Sequence, residues 1–236
     1  MTSETVTSTP VHSIDLTQVD AAWNFASENA EKITAFWQAR RAELPALFNG
    51  AVLVTRGLDL TNGVLRGETI ETDFASFYAW LWWGCPDKSV YNLFSSAVIM
   101  GADGALVFGK MASQTANAGR VYPPGGSLDL NDIRPDGTVD LLGSVSRELF
   151  EETGLVEENA EEGSLSLHRS GQKCSLARVF QFAEDADAIA LMIRAFLQSQ
   201  GEPELIDVVV IRNADEMPVS VMPDWSQSIC HHALNA

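Results

Sequence analysis

The chain has 236 residues, 46% of them hydrophobic, and its 32 acidic against 15 basic side chains give a formal net charge of −17. That length can bury the core of one large domain or of a domain with an appendage, and every apolar run is too short to cross a bilayer. Such acidity opposes binding to long nucleic acid unless the few cations are gathered in one place, yet it admits a small phosphorylated ligand met by divalent cations on carboxylates.

Cys85, Cys174 and Cys230 are too few and too dispersed for a disulfide framework and show no paired metal spacing, which points to a reducing compartment. Met1 through Pro10 is polar and lacks the basic start and apolar stretch of a secretory signal, so a cytoplasmic location is expected.

Residues from about Leu16 to Leu47 carry helical spacing in Val19, Trp23, Ile33, Phe36 and Trp37, with Pro45 near the end, and predict one or two helices. Gly50 to Arg56 and the turn Thr61-Asn62-Gly63 predict a hairpin, because Asn-Gly readily takes positive φ. A helix over Asp73 to Trp83 follows, rich in Phe and Trp, and stops at Gly84-Cys85-Pro86; its rings read as core or subunit-interface packing. A boundary near residue 90 divides a smaller N-terminal α+β portion, 1–90, from a second unit, 91–236.

That unit opens on a predicted hairpin, Ser96–Met100 and Ala105–Phe108 around Ala102-Asp103-Gly104. Gly119–Tyr122 reads as a strand, Pro123-Pro124-Gly125-Gly126 as a break, and the residues to Val139 as a polar loop. A helix is predicted from Leu141 to Thr153, with Asp140 as N-cap and Gly154 as the residue that ends it. Ser175–Phe182 and Leu205–Arg212 read as strands, Ala186–Ser199 as an amphipathic helix, and Pro223–Leu234 as a last helix.

Helical spacing puts Glu148 three residues before Glu151 and four before Glu152, so the three carboxylates share one side while Leu142, Val145 and Leu149 line another. Crowded anions raise one another's free energy unless protons or cations neutralise them, and hard oxygen donors suit Mg²⁺ or Mn²⁺. Arg147 can pair with Glu151 one turn on or orient the adjacent Glu148. The alternative is a solvated acidic face in an acidic protein.

Arg147-Glu148-Leu149-Phe150-Glu151-Glu152-Thr153-Gly154-Leu155 resembles the second half of the Nudix box, and Pro124-Gly125-Gly126 resembles the turn that opens it. The resemblance implies an α/β fold, a Nudix-like α/β/α sandwich with a mixed sheet. It also implies that Glu148, Glu151, Glu152 and the Gly126 carbonyl hold Mg²⁺ or Mn²⁺, with Glu148 as ligand or water-positioning group and Arg147 as its orienting partner. Hydrolysis of a nucleoside diphosphate linked to another moiety follows, with no membrane or long nucleic acid as partner and a homodimer left open.

Two departures stand out. The family has five residues, a glutamate and seven more between the last glycine and the arginine; here Ser127 to Ser146 is seven residues longer. The glutamate position eight before Arg147 holds Val139, with Asp140 next to it as a substitute acid or a cap. Glu204 is the candidate for a further acid outside the box, and Arg120, just before the Pro-Gly-Gly turn, for a phosphate contact. Two other readings stay open: a degenerate phosphometabolite-binding or regulatory module on the same fold, and isomerisation of a prenyl diphosphate, for which no Cys motif speaks.

Overall fold

The computed structural model describes residues 6–235, so the first half of the polar start lies outside the described residues. Strand β1 (Thr7–Pro10) runs into β2 (Ser13–Gln18), where Leu16 is buried between exposed Asp15 and Thr17. The helix expected from about Leu16 therefore starts later. Two helices form, α1 (Asn24–Glu28) and α2 (Ala30–Glu43), because the Ile14/Leu16 alternation has the period of a strand rather than of a helix.

Strands β3 (Ala51–Thr61) and β4 (Val64–Asp73) form the hairpin, with Asn62 and Gly63 at φ 54° and 75°. Helix α3 (Phe74–Trp82) is capped by Asp73, whose carboxylate accepts from the Ser76 amide at 3.0 Å. Strand β5 (Val90–Met100) starts at the position of the expected boundary and pairs on both sides of it. There follow β6 (Leu106–Met111), β7 (Val121–Tyr122), α4 (Leu141–Thr153), β8 (Ala160–Ser170), β9 (Lys173–Phe182), α5 (Ala186–Ser199), β10 (Leu205–Ile211) and α6 (Asp224–Leu234).

The sheet runs β1-β8-β9-β5-β3-β4-β2, and β6 attaches to the end of β5 and carries β10 and β7. β5 is parallel to β9, and β2 to β4, while the other ladders are antiparallel, so the sheet is mixed. On β5, Ser95 meets Ser144 of α4 at 3.4 Å, while its neighbour Phe94 packs edge-on against Trp225 of α6 at 4.8 Å between ring centroids. Successive strand residues point to opposite faces, so α4 and α6 cover opposite faces of the sheet. The expected α/β/α layering with a mixed sheet is present.

β8 had no counterpart in the sequence reading, because Glu161 to Ser164 in its first half are exposed and carry no apolar side chain, and only Ser166, Leu167 and His168 are buried. Three apolar clusters hold the layers. One joins β5, β6 and β9 to α4, α5 and α6; a second gathers Trp23, Phe77 and Trp80; a third sets Leu16, Leu53, Leu65 and Leu93 against Leu128, Val139 and Leu141. Among the described residues no helix is long and apolar enough to cross a membrane.

Candidate active site

Helix α4 is bounded by its own chemistry. Asp140 accepts from the Gly143 amide at 2.9 Å, satisfying one of the donors orphaned at a helix start, and Gly154 leaves the helix at φ 73°, where a β-carbon would strike Phe196. Val145 and Leu149 are fully buried toward β5 and its neighbours. That fixes the helix rotation and turns Glu148 and Glu152 toward the Gly125-Gly126 turn.

The turn needs its glycines. A β-carbon at 126 would overlap the Glu148 carboxylate, and one at 125 would overlap the Ser95 carbonyl. The Gly126 amide and carbonyl face Ser95, whose own amide donates to the Gly126 carbonyl at 3.0 Å. Backbone and carboxylate thus meet at a contact that only glycine permits.

Glu148, Glu151, Glu152, Glu202 and Glu204 together line a cavity of about 130 Å³, closed by Leu197, Gln200 and Pro203. Glu204 is brought there because its carbonyl accepts from the Ala112 amide at 2.8 Å, which ties the start of β10 to the end of β6. Glu152 is 7% exposed and its Oε2 has no hydrogen-bond partner, while Glu151 is exposed. Burial, reinforced by Glu148 and Glu204, pushes the Glu152 carboxyl well above the ordinary range. Burial likewise pushes Glu148 up to about 7, opposed by Arg147 and reinforced by Glu151 and Glu204.

Carboxyls whose pKa burial and mutual repulsion raise are groups that a bound divalent cation would ionise, since it supplies the charge the cavity lacks. The donor set is all oxygen, as Mg²⁺ and Mn²⁺ require, and an orphaned buried oxygen points the same way. Among the described residues no three His, Cys, Asp or Glu side chains stand at ligand spacing about one point. Ligation therefore calls for side-chain rotation, for which exposed Glu151 and Glu204 have room.

Arg147 reaches back along the chain rather than forward to Glu151. Its Nη1 donates to Asp132 at 2.5 Å and its Nη2 stands 3.7 Å from Glu148, because the long segment before α4 folds over the helix and presents a buried carboxylate. In the sequence Asp132 falls within the stretch read only as a polar loop. The signal that could have found it is its spacing, five residues after Gly126 and then the acid, with Asp129-Leu130-Asn131-Asp132 closing a short 3₁₀ turn through a capping box. Asp140 lies eight residues before Glu148, roughly 12 Å along the helix, and its carboxylate is occupied by Gly143 and by Arg134 at 2.8 Å. Val139, eight residues before Arg147, is 4% exposed in the cluster around Leu16 and Leu53, whereas the five-residue count from Gly126 reaches Asp132, the acid that meets Arg147.

A second cavity of about 390 Å³ adjoins Gly125 and Gly126 and is lined by Asn92, Phe94, Ser96, Arg120, Lys173 and Trp225 among others. Asn92 Oδ1 is buried without a partner. Arg120 is exposed on its wall.

No family model matches the chain, and no curated protein matches it. Solved structures similar to it include the bifunctional NMN adenylyltransferase/ADP ribose pyrophosphatase from Francisella tularensis, at 17% identity and TM-score 0.46 over 67% of this chain and 44% of that one. The NUDIX domain of Shewanella oneidensis NrtR, complexed with ADP ribose, matches at 17% identity and TM-score 0.43 over 67% of this chain and 96% of that one. A NUDIX hydrolase from Nitrosomonas europaea matches at 15% identity and TM-score 0.40 over 61% of this chain and 88% of that one. Nudix proteins are thus among the structural neighbours of this chain, which spans less than half the length of the Francisella protein. At these identities and scores the likeness by itself assigns no activity.

Proposed function

We propose that the chain is a divalent-metal-dependent Nudix hydrolase that cleaves the diphosphate linkage of a nucleoside diphosphate joined to another moiety. The observation that carries this reading is the buried Glu152 carboxylate with one oxygen unmet, set with Glu148, Glu151 and Glu204 in one cavity against a turn whose contacts only glycine permits. Glu148, Glu151, Glu152 and the Gly126 carbonyl are the groups that would hold Mg²⁺ or Mn²⁺, with Glu204 as the further acid. When bound, the cations supply a more acidic water and positive charge against the phosphates.

The chain's own residues do the rest. Glu148 positions or deprotonates the attacking water, and Arg147 keeps its carboxylate in place. The larger cavity takes the nucleoside side of the substrate: its volume of about 390 Å³ is that of a small-ligand pocket. It extends along β5 from Ser96 to Asn92, roughly 13 Å at the ~3.3 Å rise of a strand. Arg120 on its wall offers a planar pair of donors to a phosphate. ADP-ribose, the ligand of the NrtR domain, belongs to this substrate class, as do nucleotide sugars and dinucleotides.

A panel of these compounds, assayed for mononucleotide or phosphate release with Mg²⁺, Mn²⁺ and chelator, tests the reading. Release that needs the metal is expected; no release from any compound would reject hydrolysis. The binding-module alternative would keep the same fold and the same cavity without turnover. Calorimetric binding of a panel member without turnover would establish that alternative.

A further inference from the structure

The larger cavity ends on a side chain that the cleavage chemistry does not use. Strand β5 sends Asn92, Phe94 and Ser96 to one face, since alternate residues of a strand share a side, and all three line the cavity. Ser96 is met there, its hydroxyl accepting from that of Ser175 at 2.7 Å. Asn92 is not. It is 8% exposed, and its Oδ1 is buried without a hydrogen-bond partner.

The backbone around Asn92 is fixed. Its amide donates to the Gln172 carbonyl at 2.8 Å, and the Gln172 side chain donates in turn to the carbonyls of Val90 at 2.8 Å and Lys88 at 3.1 Å. The side-chain amide still turns about its last bond, whose minima are broad, so either end can be brought to a ligand. A buried amide oxygen left unmet costs stability, and Asn92 stands beside an aromatic wall: Phe94 and Tyr122 pack on Trp225 at 4.8 Å and 5.4 Å between ring centroids. A planar ligand thus finds ring faces to lie against and one donor–acceptor pair to meet. Asn92 is three residues along β5 from Ser95, which holds the Gly126 turn. That is roughly 10 Å, comparable to the length of a nucleoside monophosphate.

We propose that Asn92 is the specificity-determining residue of this cavity and reads the edge of an adenine ring laid against Phe94 and Trp225. The proposal rests on the hydrolase reading, which puts the nucleoside side of the substrate here. Adenine presents an amino N–H beside a ring nitrogen, the pattern that an asparagine amide meets with both ends at once. The amide oxygen accepts from the amino group, which relieves the unmet Oδ1, and the amide nitrogen donates to the ring. Lys173, the register partner of Asn92 on β9, is exposed and can only donate. It would suit the carbonyl of guanine instead, so the two bases are set against each other in the test.

Calorimetry of the full chain with Mg²⁺ compares AMP with the monophosphate of purine riboside, which carries hydrogen in place of the amino group, and with GMP, CMP and UMP. A bidentate amide–base pair discriminates by about 5–150-fold, and the wild type is expected to prefer AMP to the other four on that scale. Asn92→Leu should weaken AMP and bring it level with the purine riboside compound. Its melting temperature should hold or rise, because an apolar group of similar shape replaces an unmet amide. Asn92→Ala, which opens space instead of filling it, should level the two ligands in the same way. Equal binding of AMP and the purine riboside compound by the wild type would overturn the proposal, as would tighter binding of GMP, CMP or UMP, or no binding of any nucleotide. A fall in melting temperature with the AMP preference kept would place Asn92 among the packing residues and overturn it too. AMP preference without hydrolysis of any panel compound would strike the hydrolase reading alone and leave Asn92 its role.

Discussion

Helices α3 and α4 are built by the same local rules and put burial to different uses. Each starts on an aspartate that caps a backbone amide, Asp73 and Asp140, and each lays an apolar face on the sheet. Around α3 the buried indoles are met: Trp80 of the helix donates to the Asp87 carbonyl at 3.0 Å, and Trp23, packed against it, to the Asp87 carboxylate at 2.7 Å. In α4 the helix buries Glu152 with one oxygen unmet. A buried polar oxygen without a partner costs stability, a cost that the proposed metal site beside four other acids would explain.

That contrast can be broken at several points. The largest effect belongs to α3. Trp80→Ala should cost about 3–5 kcal/mol, as large-to-small changes in a core do, visible in urea unfolding, while the folded fraction keeps its kcat. A loss of kcat per folded molecule would mean that the aromatic cluster serves the site.

Glu152→Gln should behave the opposite way. Turnover falls by roughly two to three orders of magnitude, the scale of losing one electrostatic group of a transition state. In chelator the melting temperature should hold or rise, because a neutral amide replaces a crowded carboxylate. A fall in melting temperature on the scale of Trp80→Ala would place Glu152 among the packing residues.

Smaller again is Asp140→Ala, which removes a cap and should cost about 0.5–2 kcal/mol with kcat retained. A large kcat loss at unchanged stability would make Asp140 a site acid and not only a cap.

The smallest effects lie in pH and have opposite signs in two regions. The Glu148 carboxyl is pushed up to about 7 from an ordinary 4.5. Between these values the folded, chelated protein holds a proton that the unfolded chain has released, so this contribution to stability is present below about 4.5 and is lost as pH rises toward 7. His168, fully buried between the hydroxyls of Ser166 and Ser228 at 2.9 Å each, is held down to about 4 by burial. Below its ordinary 6.5 the unfolded chain takes the proton first, so His168 costs stability as pH falls from 6.5 toward 4. Melting curves of Glu148→Gln and His168→Gln against pH should each flatten one limb; a flattened limb on the wrong side would contradict the assignment.

Where periodicity and caps decide structure, the sequence could be read. Asn62-Gly63, Asp73, Asp140 and Gly154 stand where their side chains or their φ angles demand. β2 and β8 escaped because one is six residues with a weak alternation and the other is polar along its exposed half, so tertiary pairing rather than propensity makes them strands. At the site, helical spacing was enough to bring Glu148 and Glu152 together, whereas Asp132 lies 15 residues before Arg147 and meets it only through the fold of the lengthened segment. Counting back from Arg147 made Val139 look like a missing acid, but it is a core residue packed on Leu16 from far along the chain, and the extra residues fall after Asp132.

The central claim is that the α4 acids carry metal-dependent cleavage of a diphosphate. Its most direct test is wild-type protein and Glu152→Gln, side by side, on ADP-ribose and the nucleotide sugars in ¹⁸O-labelled water with Mg²⁺, followed by ³¹P NMR. The account predicts Mg²⁺-dependent products from the wild type with ¹⁸O on one phosphate, and almost none from the variant. Equal turnover by both proteins, or label on carbon instead of phosphorus, would contradict it.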